Sequence, residues 1–169
     1  MAEITLQGNK IHTIGDIPPV GAALDDLDFR LTKTDLSDVN IADFSGKKIV
    51  LNIFTSLDTD ICAASVRKFN KEAAKFENME VLCISRDLPF AHARFCTTEG
   101  LENVISLSEM RDSNFSERIG LRITDGPLAG LMARAVIVLD ENLKVIYTEL
   151  VPEIAQEPNY DEAIKNIKS

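Results

Sequence analysis

The strongest constraint on the fold is an apolar strand followed by a helix, a pattern that occurs twice. Residues 48–54 form a nearly continuous apolar run of strand length, which is typical of a central strand covered on both faces. From residue 60 to 76 apolar side chains recur at steps of three and four, which predicts an amphipathic helix. Residues 79–85 repeat the buried strand, and residues 89–99 the helix. This order indicates an α/β fold.

The flanking segments complete the predicted architecture. Near the N-terminus, Gln7-Gly8-Asn9 separates two short apolar runs, which predicts a β-hairpin with Gly and Asn in the turn. We further expect strands at 28–32 and 104–107, a loop with one helical turn at 35–46, a short helix at 114–119, a hairpin of 133–139 with 144–149, and a closing helix at 160–167. The prediction is one thioredoxin-like domain over residues 1–169, a central mixed sheet flanked by helices with an N-terminal β-hairpin.

Charge and hydropathy limit the partners. The 169 residues carry a net charge of −9, with an isoelectric point near 4.7, which argues against nucleic acid as a partner. No stretch approaches the roughly 20 apolar residues that span a bilayer. The first residues, Met1-Ala2-Glu3-Ile4-Thr5-Leu6, lack the basic and apolar segments of a signal peptide. We therefore expect a cytoplasmic protein that uses neither a membrane nor a nucleic acid.

The three cysteines indicate thiol chemistry. An odd number in a domain large enough to bury its own core suits a reducing compartment better than a disulfide framework. None is spaced as Cys-x-x-Cys, and His12 and His92 lie far from other potential ligands, so we expect no metal site. Cys83 lies within an apolar strand, where a buried cysteine behaves as a small hydrophobic residue.

Cys62 is the candidate nucleophile. It lies in the first turn of the predicted helix, where free N–H groups and the helix dipole favour a thiolate. Thr59 or Asp60 is expected to cap this helix by accepting a backbone N–H bond. The carboxylate of Asp60 opposes the thiolate, so a compensating cation is needed. Arg134 is the candidate, because a guanidinium stays protonated and donates to both a thiolate and an oxygen.

Alternatives remain open for the other candidates. Arg134 opens an apolar strand, and its other interpretation is a solvated strand end. Cys96 lies near a helix end, where local opening costs little, and from the residues alone a structural role is equally consistent. A protease-type Cys-His pair is weakly supported, because neither histidine is adjacent to Cys62.

Several blocks of the chain resemble the thiol peroxidase branch of the peroxiredoxins, a thioredoxin-fold family. The resemblance covers nearly the whole chain, and its most specific blocks are Ser56-Leu57-Asp58-Thr59, Cys62-Ala63-Ala64-Ser65-Val66-Arg67-Lys68-Phe69, Asp87-Leu88-Pro89-Phe90-Ala91, Arg94-Phe95-Cys96, Asp125-Gly126-Pro127-Leu128 and Ala133-Arg134-Ala135-Val136. It implies that Cys62 is the peroxidatic cysteine, Thr59 the motif threonine and Arg134 the family's arginine. It also implies that Cys96 is the resolving cysteine of an atypical two-cysteine enzyme.

The resemblance implies an activity as well as residues. Cys62 would attack a hydroperoxide and form a sulfenic acid, and Cys96 would close an intramolecular disulfide after local unwinding around both cysteines. The family uses thioredoxin as its reductant, needs no metal or organic cofactor, and commonly forms homodimers. Hydrogen peroxide and organic hydroperoxides are both expected substrates.

One position departs from the family motif. The motif reads Pro-x-x-x-Thr-x-x-Cys, and Thr55 occupies the proline position here. Because threonine lacks the ring constraint and adds a hydroxyl, we expect a looser and wetter pocket. This leaves two rival functions. A general disulfide oxidoreductase is disfavoured because the cysteines are not closely spaced, and a slow redox sensor draws some support from Thr55.

Overall fold

The computed structural model describes residues 1–25 and 29–168. Within these ranges the strands are β1 (Glu3–Leu6), β2 (Asn9–His12), β3 (Leu31–Lys33), β4 (Asp38–Val39), β5 (Lys48–Ile53), β6 (Met79–Ser85), β7 (Ile105–Ser108), β8 (Ala135–Leu139) and β9 (Val145–Leu150). The helices are α1 (Asp60–Ala73), α2 (Pro89–Glu99), α3 (Asn114–Arg118) and α4 (Tyr160–Lys168), with a short 3-10 helix at Ile41–Phe44.

A mixed sheet forms the centre of the molecule, in the strand order β4-β3-β7-β6-β5-β8-β9. Strand β5 pairs parallel with β6 and antiparallel with β8, and β6 pairs parallel with β7. At the end of β5, Ile53 lies opposite Ile84 on one side and Ala135 on the other. The loops after β5 and β6 and the segment before β8 therefore meet at one edge of the sheet. The predicted thioredoxin-like fold is confirmed.

Alternating side chains divide the core into two layers. On β5, Ile49, Leu51 and Ile53 point into one apolar cluster, which also contains Phe115 of α3. Val50 points into the other, which α1 and α4 cover with the side chains Cys62, Val66, Phe69, Ala163, Ile164 and Ile167. This double burial explains the continuous apolar run of β5.

The N-terminal hairpin is confirmed, with one change in its turn. Strands β1 and β2 pair antiparallel, and the residues with positive φ are Gln7 at 50° and Gly8 at 83°. Asn9 belongs to β2, so the turn residues are Gln7 and Gly8 rather than Gly8 and Asn9. Two positive φ values suit the right-handed twist of a two-residue hairpin. The hairpin is joined to the chain near the C-terminus, where the Thr5 N–H donates to the Pro152 carbonyl over 2.8 Å.

Two other segments differ from the prediction. The segment 35–46 is not only a loop with a helical turn, because β4 pairs there with β3 as an edge strand of two residues. So short a strand has too little alternation to be recognised in a sequence. The strand predicted over 28–32 is β3, Leu31–Lys33, and Asp28 lies outside the described residues.

Candidate active site

Cys62 lies where the sequence placed it, in the first turn of a helix. Strand β5 ends at Ile53, a loop follows, and α1 begins at Asp60 with Thr59 in the N-cap position. Cys62 is the third residue of α1, and its side chain is fully buried. It packs in the apolar cluster beneath α1 that includes Val66. A thiol in this position is close to the free N–H groups of a helix N-terminus while water is excluded from it.

The expected side-chain cap of α1 is wrong. Thr59 has the extended backbone of an N-cap residue, but its side chain caps no backbone N–H, and neither does that of Asp60. The Thr59 hydroxyl instead donates to the Ser56 carbonyl over 2.9 Å. The hydroxyl therefore braces the turn that precedes the helix, and the first N–H groups of α1 are not occupied by a Thr59 cap.

Arg134 is buried, which excludes a solvated strand end. Its side chain is 2% exposed and lies immediately before β8. Nε and Nη2 both donate to the Ile154 carbonyl, over 2.9 and 2.8 Å. Nη1 is buried without a hydrogen-bond partner among the described residues. A buried cationic donor left unpaired is costly, so this nitrogen is available to a bound group.

Tyr160, which was not among the predicted site residues, lies near both candidates. It begins α4, its ring packs edge-on against Phe69 at 5.2 Å, and its hydroxyl donates to Glu157 over 3.0 Å. Burial and then Glu157 raise the pKa of the Tyr160 phenol, the charge of Arg134 lowers it, and that of Cys62 raises it. The phenol is therefore within electrostatic range of both groups. No short motif in the sequence signals this placement.

Thr55, for which a looser and wetter pocket was expected, is itself buried and hydrogen-bonded. It is 2% exposed, and its hydroxyl donates to the Met132 carbonyl over 3.1 Å. Met132 lies two residues before Arg134, so this bond joins the loop that leads to Cys62 to the segment that carries the arginine. The hydroxyl therefore has its hydrogen-bond partner inside the protein.

Cys96 is half-buried on α2 and lies on a groove. Its Sγ is 3.4 Å from the Ser106 hydroxyl of β7. The groove, of about 320 Å³, is also lined by Lys33, Thr97 and Glu102. Cys62 and Cys96 are both free thiols on different helices. Cys96 is therefore the more accessible of the two.

Cys83 fits the expected structural role. It lies in β6, is fully buried, and contacts the Asn52 amide nitrogen at 3.7 Å. Burial raises the pKa of the Cys83 thiol to about 12, with a smaller contribution in the same direction from Cys96. Such a thiol stays protonated at neutral pH, and a protonated thiol is a poor nucleophile.

The described residues contain neither a metal-binding cluster nor a membrane-spanning helix. Residues 1–25 and 29–168 contain no group of three or more His, Cys, Asp or Glu side chains that could hold a metal ion. Over the same ranges, no helix combines the length and the apolar character needed to cross a bilayer.

The loop before Cys62 has an anchor that sequence reasoning missed. Asp87, two residues after the end of β6, accepts from the Ser56 hydroxyl over 2.8 Å and from the Leu57 N–H over 2.9 Å. Asp87 occurs in one of the blocks that carry the resemblance, but nothing in its sequence context assigns it this role. A polar residue within two positions of the end of a buried parallel strand is the available signal, because the carboxyl ends of such strands meet at the same side of a sheet.

Known proteins resemble this chain over nearly its full length. The sequence profile of the redoxin family matches residues 19–164. Thiol peroxidases of Corynebacterium glutamicum and Mycobacterium bovis are 54% and 53% identical over 164 residues. The alignments cover 97% of this chain in both cases, and 98% and 97% of those proteins.

Solved structures agree with these sequence matches. A peroxiredoxin-like protein from Aquifex aeolicus superposes with a TM-score of 0.92 at 34% identity, covering 99% of this chain and 96% of its own. A thiol peroxidase from Chromobacterium violaceum superposes with a TM-score of 0.87 at 25% identity, covering 98% and 95%. The chain belongs to the redoxin family, and within it to the peroxiredoxin-type thiol peroxidases.

Proposed function

We propose that Cys62 is the peroxidatic cysteine of this thiol-dependent peroxidase and that Arg134 is the cation that activates it. The observation that carries the proposal is the buried guanidinium of Arg134. Its Nε and Nη2 are fixed on the Ile154 carbonyl while Nη1 has no partner among the described residues. Together with the fully buried Cys62 thiol in the first turn of α1, this gives a nucleophile and an electrophile-binding donor at one edge of the sheet.

The first step consumes one hydroperoxide. The Cys62 thiolate attacks the outer oxygen, the O–O bond breaks, and the products are a Cys62 sulfenic acid and an alkoxide or hydroxide that takes up a proton. Sulfur is oxidised and the peroxide is reduced by the same two electrons. Arg134 and the N–H groups at the start of α1 stabilise the negative charge that moves onto the departing oxygen. The Thr59 hydroxyl supports this geometry by bracing the turn through the Ser56 carbonyl.

The second step removes the sulfenic acid. The Cys96 thiol condenses with the Cys62 sulfenic acid, an S–S bond forms, and the sulfenic oxygen leaves as water. Because Cys62 is buried in α1 and Cys96 faces a groove from α2, both helices must unwind locally before the sulfur atoms meet. An external dithiol then reduces the disulfide by thiol–disulfide exchange and is itself oxidised.

The remaining assignments of this proposal concern the setting of the enzyme. The external dithiol is thioredoxin, the substrates include hydrogen peroxide and organic hydroperoxides, and the active form is a homodimer. The three free cysteines support a reducing compartment, which for this chain is the cytoplasm. The whole chain, residues 1–169, acts as one domain, which the hydrogen bond between Thr5 and Pro152 supports.

A coupled assay tests the nucleophile and the reductant together. NADPH oxidation is followed with thioredoxin and thioredoxin reductase, comparing the native protein with Cys62→Ser. Peroxide-dependent turnover in the native protein and none in the variant is the expected result. Turnover in a folded Cys62→Ser variant would exclude Cys62 as the nucleophile. If the native protein turns over with a different dithiol but not with thioredoxin, thioredoxin is excluded as the reductant.

The resolving role of Cys96 has its own test. Cys96→Ser is expected to reduce about one equivalent of peroxide and then to stop at the Cys62 sulfenic acid, because no thiol remains to condense with it. Mass spectrometry after labelling with a sulfenic-acid reagent detects that product. Normal multiple turnover with thioredoxin in this variant would exclude Cys96 as the resolving cysteine.

A further inference from the structure

The carboxylate of Asp87 joins two segments, the end of β6 and the loop of residues 54–59 that precedes α1, here called the Cys62 loop. Oδ1 accepts from the Ser56 hydroxyl over 2.8 Å, and Oδ2 accepts from the Leu57 N–H over 2.9 Å and from the Ser85 hydroxyl over 2.6 Å. Ser56 and Leu57 belong to the loop between β5 and α1. The carboxylate therefore fixes both a side chain and the backbone of the segment that delivers Cys62.

The Ser85 hydroxyl extends these bonds to His92 and determines the tautomer of its ring. Ser85 donates its one proton to Asp87 and accepts the Asp87 N–H over 3.2 Å. Its remaining contact, at 3.0 Å to Nε2 of His92, requires His92 to be the donor. Nδ1 is then the bare nitrogen of a neutral ring, in agreement with its lack of a partner among the described residues. Burial lowers the pKa of His92 to about 4, partly opposed by the charge of Asp87.

His92 brings the helix of Cys96 into contact with the same network. It lies in α2, it is 1% exposed, and its ring meets the Phe54 ring edge-on at 6.2 Å. Cys96 follows four residues later, so the two side chains share one face of α2. Asp87 itself directly precedes Leu88, the N-cap residue of α2. The Asp87 network, defined as Ser56, Ser85, Asp87 and His92, thus connects the two segments that carry the two cysteines.

We infer that Asp87 is a positioning residue that favours the reaction of Cys62 with peroxide and opposes the disulfide step. The inference rests on the roles proposed above for Cys62 and Cys96. The network holds Ser56 and Leu57, and with them the loop that leads into the first turn of α1 where Cys62 lies. The same bonds keep the start of α2 folded, and they must open before Cys96 reaches the Cys62 sulfenic acid. These hydrogen bonds thereby affect what fraction of the Cys62 sulfenic acid forms the disulfide with Cys96 and what fraction is oxidised further by peroxide.

The signature of this role is a pair of rate constants that change in opposite directions. Asp87→Ala removes the acceptor of three hydrogen bonds, and a hydrogen bond to a charged group typically carries about a tenfold change. Formation of the sulfenic acid, measured by quenched flow and mass spectrometry in a Cys96→Ser background, is expected to slow about tenfold. Disulfide formation in the protein that retains Cys96, measured as the loss of two hydrogens, is expected to accelerate. The Asp140→Ala control separates this pattern from the effect of a general loss of stability.

A second variant keeps the inference testable if Asp87→Ala does not fold. Ser85→Ala cuts the connection to His92 but leaves Ser56 and Leu57 bonded to Asp87. In Ser85→Ala, the rate of disulfide formation is expected to rise, and the rate of the reaction of Cys62 with peroxide is expected to change by a smaller factor. A second hydroperoxide converts an unresolved sulfenic acid to a sulfinic acid and leaves as its alcohol or water. At a fixed excess of peroxide, Ser85→Ala is therefore expected to accumulate less Cys62 sulfinic acid than the native protein.

Asp140→Ala is the matched control, because the Asp140 carboxylate also orders a loop. It accepts from the N–H groups of Asn142 and Lys144, both over 2.9 Å, in the turn at the other end of β8. Its two rate constants are expected to equal those of the native protein. Equal changes in both steps for Asp87→Ala, no change in either, or the same pattern in Asp140→Ala would each overturn the inference. If the Cys96→Ser background forms no sulfenic acid at all, the proposed role of Cys62 fails instead.

Discussion

Thr55→Val removes one buried hydroxyl without leaving a cavity, because valine has nearly the shape of threonine. The lost bond is the one from the Thr55 hydroxyl to the Met132 carbonyl, 3.1 Å long and buried with the side chain 2% exposed. A neutral hydrogen bond contributes about 1 kcal/mol net, and the cost rises to about 3 kcal/mol when the remaining partner is left buried and unpaired. We therefore expect Thr55→Val to lower the free energy of unfolding by about 1 to 3 kcal/mol.

The expected loss is measurable by urea unfolding of the reduced protein. In a domain of this size each kcal/mol lowers Tm by about 2 to 4 °C. Because the bond ties the Cys62 loop to the segment of Arg134, we also expect a slower reaction of Cys62 with peroxide. Thr55→Ser is the control, since it keeps the hydroxyl and is expected to retain most of the rate. Thr55→Pro tests whether the ring of the family motif replaces the hydrogen bond.

Two results would refute this reasoning. If Thr55→Val unfolds at the same urea concentration as the native protein, the hydroxyl bond contributes nothing to the stability of the loop. If Thr55→Val and Thr55→Ser lose the same peroxide rate, the effect comes from side-chain packing and not from the bond to Met132. Either outcome would return Thr55 to the interpretation of a loosened motif position.

Two further predictions concern the buried histidine and the third cysteine. The pKa of His92 is about 4 in the folded protein and ordinarily 6.5, so the unfolded chain binds the proton more tightly. His92 is therefore expected to lower the stability of the protein as the pH falls from about 6.5 to 4. Above pH 6.5 it has no effect on the pH dependence of stability. The full loss in the free energy of unfolding is about 3 kcal/mol, at about 1.4 kcal/mol per pKa unit. In urea unfolding measured at several pH values, His92→Gln is expected to remove this part of the pH dependence. An unchanged dependence on pH in the variant would contradict the prediction. Cys83, whose pKa is raised to about 12, is expected to resist alkylation in the folded protein at neutral pH, and Cys83→Ser is expected to keep peroxidase turnover. Rapid labelling of Cys83, or lost turnover in a folded variant, would assign it to the chemistry.

The sequence predicted the helices and strands well where apolar runs were long or where residues that begin and end a helix were present. The helix predicted at 89–99 has the bounds of α2, because Pro89 begins it and Gly100, with a φ of 67°, ends it. Strand β4 was missed, since two residues cannot show alternation. The places of Thr59 and Cys62 at the start of α1, and of Cys96 near the end of α2, could be predicted because they depend only on where each helix begins and ends.

The partners of the site residues could not be predicted, because they are distant in sequence. The Ile154 carbonyl that fixes Arg134 is a backbone group, so no side-chain pattern marks it. Asp87 meets Ser56 across 31 positions, and only the parallel pairing of β5 with β6 brings their loops together. The Thr59 cap was wrong for a local reason instead, because its hydroxyl donates to the Ser56 carbonyl three residues earlier and its oxygen accepts no N–H of α1.

The placement of Tyr160 gives this protein an optical probe of its own chemistry. The chain has no tryptophan and only two tyrosines, so its near-ultraviolet spectrum comes largely from these two phenols. Tyr160 lies in the electrostatic field of Cys62 and Arg134. In the cycle proposed above, Cys62 changes from a charged thiolate to a neutral sulfenic acid or disulfide, which would change that field at the ring. We therefore expect tyrosine absorbance to report the oxidation and reduction of Cys62 without a dye, a label or a coupling enzyme.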